Sequence, residues 1–442
     1  VYKRQQQPMG CLHRFSKTIK VVIIGLLILL LMIPMFMIEN LISERGRTQE
    51  EAIDEVSEKW SLAQTITGPY LNLQYPVVTE NNGEKKVSIK DLILFPDELM
   101  VNGQLKTEIL KRSIYEVNVY QSELTLKGSF SSEELKKSRI DMEQLQFDRA
   151  AICLNLTDMR GISEQISITL GDSVYIFEPG MDNRGIANTG VHAIANLSEL
   201  KQNKKLPYEI KIKLKGSQSL NFIPLGKTTR VDLKANWNTP SFTGNYLPNN
   251  RNITEKEFSA QWQVLNLNRN YSQVMVDYNT SNIKDIENSS FGVNFKIPVE
   301  QYQQSMRSAK YAILIILLTF GVIFFTEIMN KTRIHALQYL LVGLALCLFY
   351  SLLLSFSEHI GFNPAYLLSS ALTIILVGGY MFGITKKKKP SLIMSGLLGI
   401  LYLYIFVLIQ LETFALLAGS LGLLIILAMV MYFSKKIDWF NE

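Results

Sequence analysis

Four ionisable side chains lie beside the most apolar segments of the chain: Glu327, His335, Glu358 and His359. An ionisable group deep in a membrane span is a functional candidate by default, yet each of these falls near the end of an apolar run. His335 and His359 belong to opposite ends of one run, so they do not share a metal ion. For Glu358 with His359, a pH-sensitive pair competes with an ordinary helix-end pair, which we favour.

A second candidate is an aromatic loop in the long polar stretch of the chain. Residues 236–244 read Asn-Trp-Asn-Thr-Pro-Ser-Phe-Thr-Gly. The proline and the glycine bracket a turn of restricted geometry. The loop is either a binding lip or a rigid turn packed on its tryptophan, and we favour the rigid turn. The candidate binding or structural residues are Trp237, Pro240, Ser241, Phe242, Gly244 and Trp262.

Catalytic and metal-binding motifs are absent from the sequence. It holds no G-x-S-x-G, no H-E-x-x-H and no glycine-rich phosphate loop. His192 is the only histidine of the polar stretch, and the 3 cysteines of the whole chain form no cluster with zinc-ligand spacing. Asp148, Asp158 and Glu178 are single acids, which favours solvated or structural carboxylates. We therefore predict no enzymatic activity, no cofactor and no metal site.

Six apolar runs determine the predicted architecture. A run of about 18 or more apolar residues is long enough to cross a bilayer as a helix. One run covers residues 19–38, and five follow between Tyr311 and Phe433. We predict an α-helical membrane protein with six transmembrane helices and one large extracytoplasmic β-rich (α+β) domain. The predicted divisions are 1–18 (cytoplasmic), 19–38 (first span), 39–305 (extracytoplasmic β-rich domain), 306–434 (five spans) and 435–442 (cytoplasmic tail).

Basic residues beside the runs predict the orientation, because loops rich in lysine and arginine stay in the cytoplasm. With six spans every basic cluster falls on one side, which places both termini in the cytoplasm. The clusters are Lys3, Arg4, Arg14, Lys17 and Lys20; Lys331 and Arg333; Lys386, Lys387, Lys388 and Lys389; and Lys435 and Lys436. This topology accounts for the net charge of +6 better than a nucleic-acid surface does.

The first run is either an uncleaved anchor or a cleaved signal peptide. It has the basic start of a signal peptide, but it is too long for an ordinary apolar region of one. No small-x-small cleavage site follows, and the run continues directly into a charged helical segment. We favour the anchor.

The hydrophobic period predicts a β-rich domain after the first run. Residues 47–65 read as a helix that Gly68-Pro69 ends, and a second helix is predicted near 132–145. Elsewhere apolar and polar residues alternate, as they do in strands with one buried face. The alternating segments are 115–119, 208–214, 231–237, 258–264 and 291–297.

Motifs in a fixed order along nearly the whole chain carry a family resemblance. They lie at residues 158–162, 222–226, 237–244, 247–248, 258–262, 291–293, 310–312, 318–320, 338–346 and 355–360. With them the chain resembles the CreD family of bacterial inner-membrane proteins, also called cell envelope integrity proteins. Two departures are Ala336, where a proline is common, and Ser272.

The resemblance implies a role in cell envelope integrity at the bacterial inner membrane, with the large domain of residues 39–305 in the periplasm. It also implies expression under a two-component stress response, with effects on colicin tolerance and β-lactam response. It implies no reaction, cofactor or catalytic residue. The expected partners are membrane lipids and an unidentified envelope protein or lipid, without nucleic acid, and the oligomeric state stays open.

Three functions are compatible with the sequence. In the first, which we favour, the outer domain binds an envelope component and the spans anchor it. In the second, spans two to six carry a lipid or hydrophobic compound across the membrane as a transporter or flippase. In the third, Glu358 and His359 serve an envelope enzyme.

Overall fold

The computed structural model describes residues 16–81, 84–138, 140–181, 186–202, 204–276, 280–295, 300–330, 333–411 and 415–435. The chain divides into two compact units: residues 51–297, and residues 1–50 together with 298–442. The helices are α1 (Ser16–Trp60), α2 (Glu133–Lys137), α3 (Thr280–Asn288), α4 (Glu300–Lys310), α5 (Ala312–Asn330), α6 (Ala336–Ile360), α7 (Phe362–Thr385), α8 (Lys388–Gln410) and α9 (Ala415–Ser434).

The unit of residues 51–297 is built from β-strands. They are β1 (Gln64–Asn81), β2 (Glu84–Leu94), β3 (Glu98–Arg112), β4 (Tyr115–Phe130), β5 (Ala150–Leu156), β6 (Ser167–Leu170), β7 (Ser173–Ile176), β8 (Glu178–Pro179), β9 (Gly190–Ala195), β10 (Leu206–Ser217), β11 (Ser219–Phe222), β12 (Thr228–Ala235), β13 (Ser241–Gly244), β14 (Asn250–Ile253), β15 (Phe258–Leu265), β16 (Val274–Val276) and β17 (Phe291–Asn294).

Two sheets form in the described part of this unit. The first sheet has 9 strands, in the order β13-β17-β11-β1-β5-β9-β8, with β2 paired to β1 and β16 paired to β2. The second sheet has 8 strands, in the order β14-β15-β12-β3-β4-β10-β6-β7. The chain passes from the second sheet to the first between β12 and β13. This crossing is the aromatic loop that the sequence singled out.

Burial along the strands follows the predicted alternation. β12 and β15 bury every second side chain, and these side chains join those of the first sheet in one apolar core. The predicted strands correspond to β4, β10, β12, β15 and β17, although residues 296 and 297 lie outside the described residues. The β-rich domain is therefore confirmed.

Strand β5 has no alternation, because both of its faces are covered. It is buried at every position. Ile152 belongs to the core between the sheets, whereas Cys153 faces a second apolar cluster that contains Ile286 of α3. A strand covered on both faces reads as a continuous apolar run rather than an alternating one.

Two predicted helices are wrong in extent. The helix predicted over 47–65 is the end of α1 and stops at Trp60; β1 then runs through Gly68-Pro69. Here the Leu62 N–H donates to the Asp158 carboxylate at 2.9 Å instead of continuing the helix. The helix predicted near 132–145 is the five-residue α2, after which the chain turns back so that the Gln146 N–H bonds to β1.

The other unit contains the membrane helices. Among the described residues of the chain, 5 helices are long and apolar enough to cross a membrane: Ile19–Trp60, Ala312–Met329, Ala336–Ile360, Phe362–Thr385 and Lys388–Gln410. The predicted sixth span corresponds to α9, whose apolar stretch Leu417–Met429 is shorter. The six-span count therefore stays a prediction. The basic side chains of Lys3, Arg4, Arg14, Lys17, Lys331 and Lys436 are not among those described.

Two tyrosines of the membrane helices lie inside the helix bundle. Tyr350 and Tyr366 are each 1% exposed. The Phe349 ring lies 4.5 Å from the Tyr402 ring, and the Tyr366 hydroxyl donates to the Tyr402 carbonyl at 2.9 Å. Aromatic packing thus joins α6, α7 and α8 inside the bundle.

Candidate functional site

The aromatic loop becomes part of the core where it crosses between the sheets. Its residues Ser241–Gly244 form β13, antiparallel to β17. The Phe242 ring meets the Trp262 ring edge-on, with centroids 5.6 Å apart. Trp262 is 2% exposed and lies 5.8 Å from the Phe291 ring. Such pairs add stability beyond their buried area, so the structure joins Phe242 and Trp262 in one supporting cluster.

The remaining loop residues shape the turn. The Trp237 indole N–H donates to the Thr239 carbonyl at 3.1 Å, and the Trp237 ring packs half-buried against the core. Pro240 is half-buried and Ser241 is exposed. Gly244 has a φ of +92°, and a Cβ at this position would overlap the Ser290 carbonyl. Glycine is therefore required at Gly244 both by the backbone conformation and by the closeness of β17.

Three exposed leucines lie beside this cluster, and we call them the leucine edge: Leu247, Leu265 and Leu267. Their exposed fractions are 67%, 39% and 87%. Two chain segments form the edge, and the Tyr246 hydroxyl joins them by donating to the Asn268 carbonyl at 2.8 Å. This edge was not predicted from the sequence. The only sequence signal for the edge was Leu265, which follows the alternating residues 258–264 and is not one of the buried side chains of β15.

Hydrogen bonds brace the leucine edge from behind. The Trp262 indole N–H donates to the Tyr246 carbonyl at 3.2 Å. The Asn268 side-chain oxygen accepts a hydrogen bond from the Leu265 N–H at 3.0 Å. The Asn266 N–H donates to the carbonyl of Lys227, directly before β12, at 2.8 Å. The leucines therefore project from backbone that is already held in place.

Arg269, next to the leucine edge, is a buried structural residue. Its guanidinium donates to the carbonyls of Leu225 and Tyr271, both at 3.1 Å, and to the Gln273 side chain. The Tyr271 hydroxyl donates to the Pro224 carbonyl at 3.0 Å. Burial lowers the pKa of Arg269 and raises the pKa of Tyr271 to about 12. These bonds hold the turn at residues 222–226, which explains that motif structurally.

Asp158, a single acid in the sequence, belongs to a buried network. Its carboxylate accepts hydrogen bonds from the Leu62 N–H at 2.9 Å and from the Arg160 guanidinium at 3.0 Å. The Gln64 side-chain amide donates to the Asp158 carbonyl at 2.8 Å. A Cβ on Gly161 would overlap the backbone and side chains of this network. The motif at residues 158–162 therefore holds the end of α1 on the β-rich unit to which both belong.

Two other polar candidates of the β-rich unit, His192 and Glu178, lie in paired strands. His192 Nδ1 lies 2.7 Å from the Gly180 carbonyl oxygen. Glu178 stands opposite His192 in the β8–β9 ladder. Across the described residues of the whole chain, no group of three or more His, Cys, Asp or Glu side chains is placed to hold a metal ion.

Glu327, a candidate polar residue of the membrane part, forms an ion pair. Lys20 of α1 makes a salt bridge with its carboxylate and donates to the Ile334 carbonyl at 3.0 Å. The Tyr339 hydroxyl donates to the second carboxylate oxygen at 3.1 Å. The Glu327 side chain is 11% exposed, so this cluster joins α1, α5 and α6 in a largely buried position. No pairing of Lys20 with Glu327 was predicted from the sequence.

Glu358 is bonded to residues other than His359. The Tyr302 hydroxyl of α4 donates to its carboxylate at 2.9 Å, and Arg45 Nε of α1 lies 4.0 Å away. His359 is exposed. His335 caps α6, where its Nδ1 accepts the Leu337 N–H at 3.2 Å. The structure therefore directs Glu358 toward α1 and α4 and gives His335 a capping role.

An apolar groove of about 350 Å³ lies between α5, α8 and α9. We call it the α9 groove. Its walls are almost entirely aliphatic and aromatic, and they include Leu397 and Ile425. Gly321 is also on the wall, and a Cβ there would meet nothing within 4 Å. Gly422 lets α9 approach α8, since a Cβ there would overlap the Tyr404 hydroxyl, which donates to the Ala418 carbonyl at 3.0 Å.

Comparison with known proteins extends over both units. The model of the family described as "Inner membrane protein CreD" matches residues 16–440. A curated relative, "Inner membrane protein CreD" of Escherichia coli (strain K12), is 32% identical over 420 residues. The matched region covers 93% of this chain and 91% of the relative.

Proposed function

We propose the following function for this chain, which belongs to the CreD family of inner membrane proteins: it contributes to cell envelope integrity without catalysing a reaction. Its β-rich domain binds another envelope component, and its membrane helices anchor the domain. The leucine edge is the observation that carries this proposal. It combines side chains exposed by up to 87% with a hydrogen-bonded backbone.

The physical reason is that exposed leucines on a rigid support favour association. Burying one leucine side chain in a partner contributes roughly 1.5–3 kcal/mol. A braced backbone loses little conformational entropy on binding, which leaves more of that contribution as affinity. Exposed apolar groups that cluster, rather than being scattered singly, mark interaction surfaces. The Tyr246–Asn268 bond supports such a surface here, because it brings together the two segments that carry the exposed leucines.

Two of the acids that the sequence offered as candidates, Asp158 and Glu358, have structural contacts that support a non-enzymatic role. Asp158 accepts hydrogen bonds that hold α1 and the first sheet. Glu358 accepts from Tyr302 and lies beside Arg45. Each carboxylate is thus held by groups that stabilise the fold.

The proposal places the domain in the periplasm and both termini in the cytoplasm. Arg333, the block Lys386–Lys389 and Lys435 stand at helix ends that alternate antiparallel spans bring to one membrane side, and loops rich in lysine and arginine stay in the cytoplasm. A membrane-impermeant thiol reagent applied to intact spheroplasts tests this. Leu267→Cys should be labelled and Lys388→Cys should not, and the reverse pattern would contradict the orientation.

The envelope role is tested by placing charge on the leucine edge. Leu247→Asp combined with Leu267→Asp should abolish the contribution of the protein to colicin tolerance and β-lactam response, because aspartate prevents apolar burial. Val174→Asp is the matched control, since Val174 is 64% exposed on β7 of the same domain. Equal phenotypes for the double variant and the control, with both proteins present in the membrane, would remove the proposal.

Transport of a lipid or hydrophobic compound by spans two to six is the second candidate. The α9 groove favours it, because an apolar recess open to the bilayer is where such a substrate would enter. Purified protein in vesicles with labelled phospholipid in one leaflet gives the test. Exchange between leaflets above that of protein-free vesicles supports transport, whereas an unchanged rate removes it.

A further inference from the structure

We propose that the α9 groove holds an acyl chain of an anionic phospholipid, whose headgroup lies at the basic ends of α8 and α9. The site is a resident lipid site, and it does not require that the protein moves lipid or that the leucine edge binds a partner.

The walls of the groove identify its occupant as hydrocarbon. The residues that line it come from the middle turns of α5, α8 and α9, such as Leu318, Leu397 and Ile425. Its volume of about 350 Å³ lies at the lower end of the range of ligand pockets, roughly 300–1,000 Å³. Gly321 leaves open space at its wall. In a bilayer, lipid acyl chains surround the helices and fill such a space. A single acyl chain is narrow enough to enter the recess that Gly321 leaves open.

The charges at one end of the groove identify the headgroup as anionic. Lys386, Lys387, Lys388 and Lys389 are exposed around the start of α8, and Lys435 is exposed directly after α9. The acid at the end of α5, Glu327, is already paired with Lys20, so it does not neutralise this cluster. Basic residues at the membrane ends of helices bind anionic lipid headgroups.

One face of α8 connects the charge to the groove. Lys389, Ile393 and Ile400 follow each other at helical spacing, and Ile393 and Ile400 are 54% and 68% exposed. Lys389 and Ile400 are separated by about three turns, or roughly 16 Å along the helix axis. Ile400 lines the groove. A phospholipid whose phosphate bonds near Lys389 therefore has its chain alongside the groove wall.

Photo-labelling of the full-length protein tests the site. The protein is reconstituted with phosphatidylglycerol that carries a diazirine in its acyl chain, and labelled peptides are mapped. Labelling should concentrate on the groove segments of α5, α8 and α9, and unlabelled phosphatidylglycerol should compete for it. Labelling spread evenly over all lipid-facing helices, or unaffected by competitor, would show ordinary boundary lipid only and overturn the proposal. This measurement is made on the unaltered protein.

Two variants with matched controls examine the two halves of the site. Gly321→Trp fills the groove and should lower groove labelling about tenfold, whereas Gly379→Trp, at an exposed glycine of α7 with open space, should leave it unchanged. Lys388→Gln with Lys389→Gln should abolish the preference for phosphatidylglycerol over phosphatidylcholine. Retained labelling in Gly321→Trp would contradict the assignment of the acyl chain to the groove. A retained preference for phosphatidylglycerol in the lysine variant would contradict the assignment of the headgroup.

Discussion

The Tyr246 hydroxyl and the Asn268 carbonyl, 2.8 Å apart, join the two chain segments that carry the leucine edge. The first segment connects β13 to β14 and the second connects β15 to β16, so each passes between the two sheets of the β-rich unit. The bond therefore ties together two connections between the sheets. It also sets the relative positions of Leu247 and Leu267, which are adjacent in sequence to the two bonded residues.

Removing this bond is expected to weaken partner binding more than folding. Tyr246→Phe keeps the ring, which packs 5.8 Å from Phe291, and deletes only the donor. One hydrogen bond contributes about 1 kcal/mol, which corresponds to about fivefold weaker binding if the leucine positions are released. Cross-linking yield from position 267 measures the effect. Tyr175→Phe on β7 is the control, and an equal loss in both variants would contradict the argument.

Trp262 and Trp237 are expected to differ in their contribution to stability. Trp262→Ala removes a ring that is 2% exposed and contacts Phe242 and Phe291, so it should lower the free energy of unfolding by about 3–5 kcal/mol. Trp237→Ala should lower it less, because Trp237 is half-buried. Urea unfolding of the full-length protein, followed by circular dichroism of the β-structure, measures both. A larger loss for Trp237→Ala would mean that the loop, rather than the core, limits stability.

Asp158 is expected to make the β-rich unit sensitive to acid. Burial raises the pKa of Asp158, but hydrogen bonds from Arg160 and the Leu62 N–H outweigh burial and hold the pKa below its ordinary value. Since the pKa is lower in the folded chain, this carboxylate stabilises the fold above the unfolded-state pKa of about 4, and its contribution is lost as the pH falls below that value.

Asp158→Asn tests this dependence. The variant should lower the free energy of unfolding at neutral pH by about 1–3 kcal/mol and should reduce the further decrease on acidification. Asp172→Asn changes an exposed acid and should leave both quantities unaltered. Urea titrations at several pH values give the comparison, and parallel pH curves for Asp158→Asn and the unaltered protein would rule out the assigned role.

Lys20 and Glu327 are expected to depend on each other. Glu327→Gln or Lys20→Met alone leaves a charge in a partly buried position, where an unpaired ion is unfavourable. The double variant removes both charges, so its loss of thermal stability should be smaller than the sum of the single losses, with a coupling of about 1 kcal/mol or more. Thermal unfolding of the single and double variants in lipid nanodiscs gives the double-mutant cycle, and Arg333→Gln is the control. Strictly additive losses would mean that the pair contributes nothing to the bundle.

The local pattern of apolar and polar residues predicts those elements of the fold that bury only one face. Strands β10, β12 and β15 alternate because their second face meets solvent, and the apolar runs are long because lipid surrounds them. Strand β5 escaped prediction because Cys153 and Ile152 are both buried, on opposite faces. The end of α1 was misplaced because the acceptor that stops it, Asp158, lies 96 residues away from Leu62.

The candidate site was predicted only as a loop. Residue types and a bracketing proline and glycine identified residues 236–244, and the structure places Phe242 and Trp262 in contact there. The leucine edge could not be predicted, because its two segments are joined by a tertiary hydrogen bond, from the Tyr246 hydroxyl to the Asn268 carbonyl. The pair of Lys20 and Glu327, separated by 307 positions, was hidden for the same reason.

In-cell photo-cross-linking from the leucine edge is the most direct test of the central claim, that the β-rich domain binds an envelope component there. A photoreactive phenylalanine replaces Leu247, Leu267 or, as the control, Val174, in the full-length protein at native abundance. The account predicts one discrete cross-linked product, the same from Leu247 and Leu267 and absent from Val174. No product from either leucine position in a protein that still supports the envelope phenotype, or the same product from Val174, would contradict it.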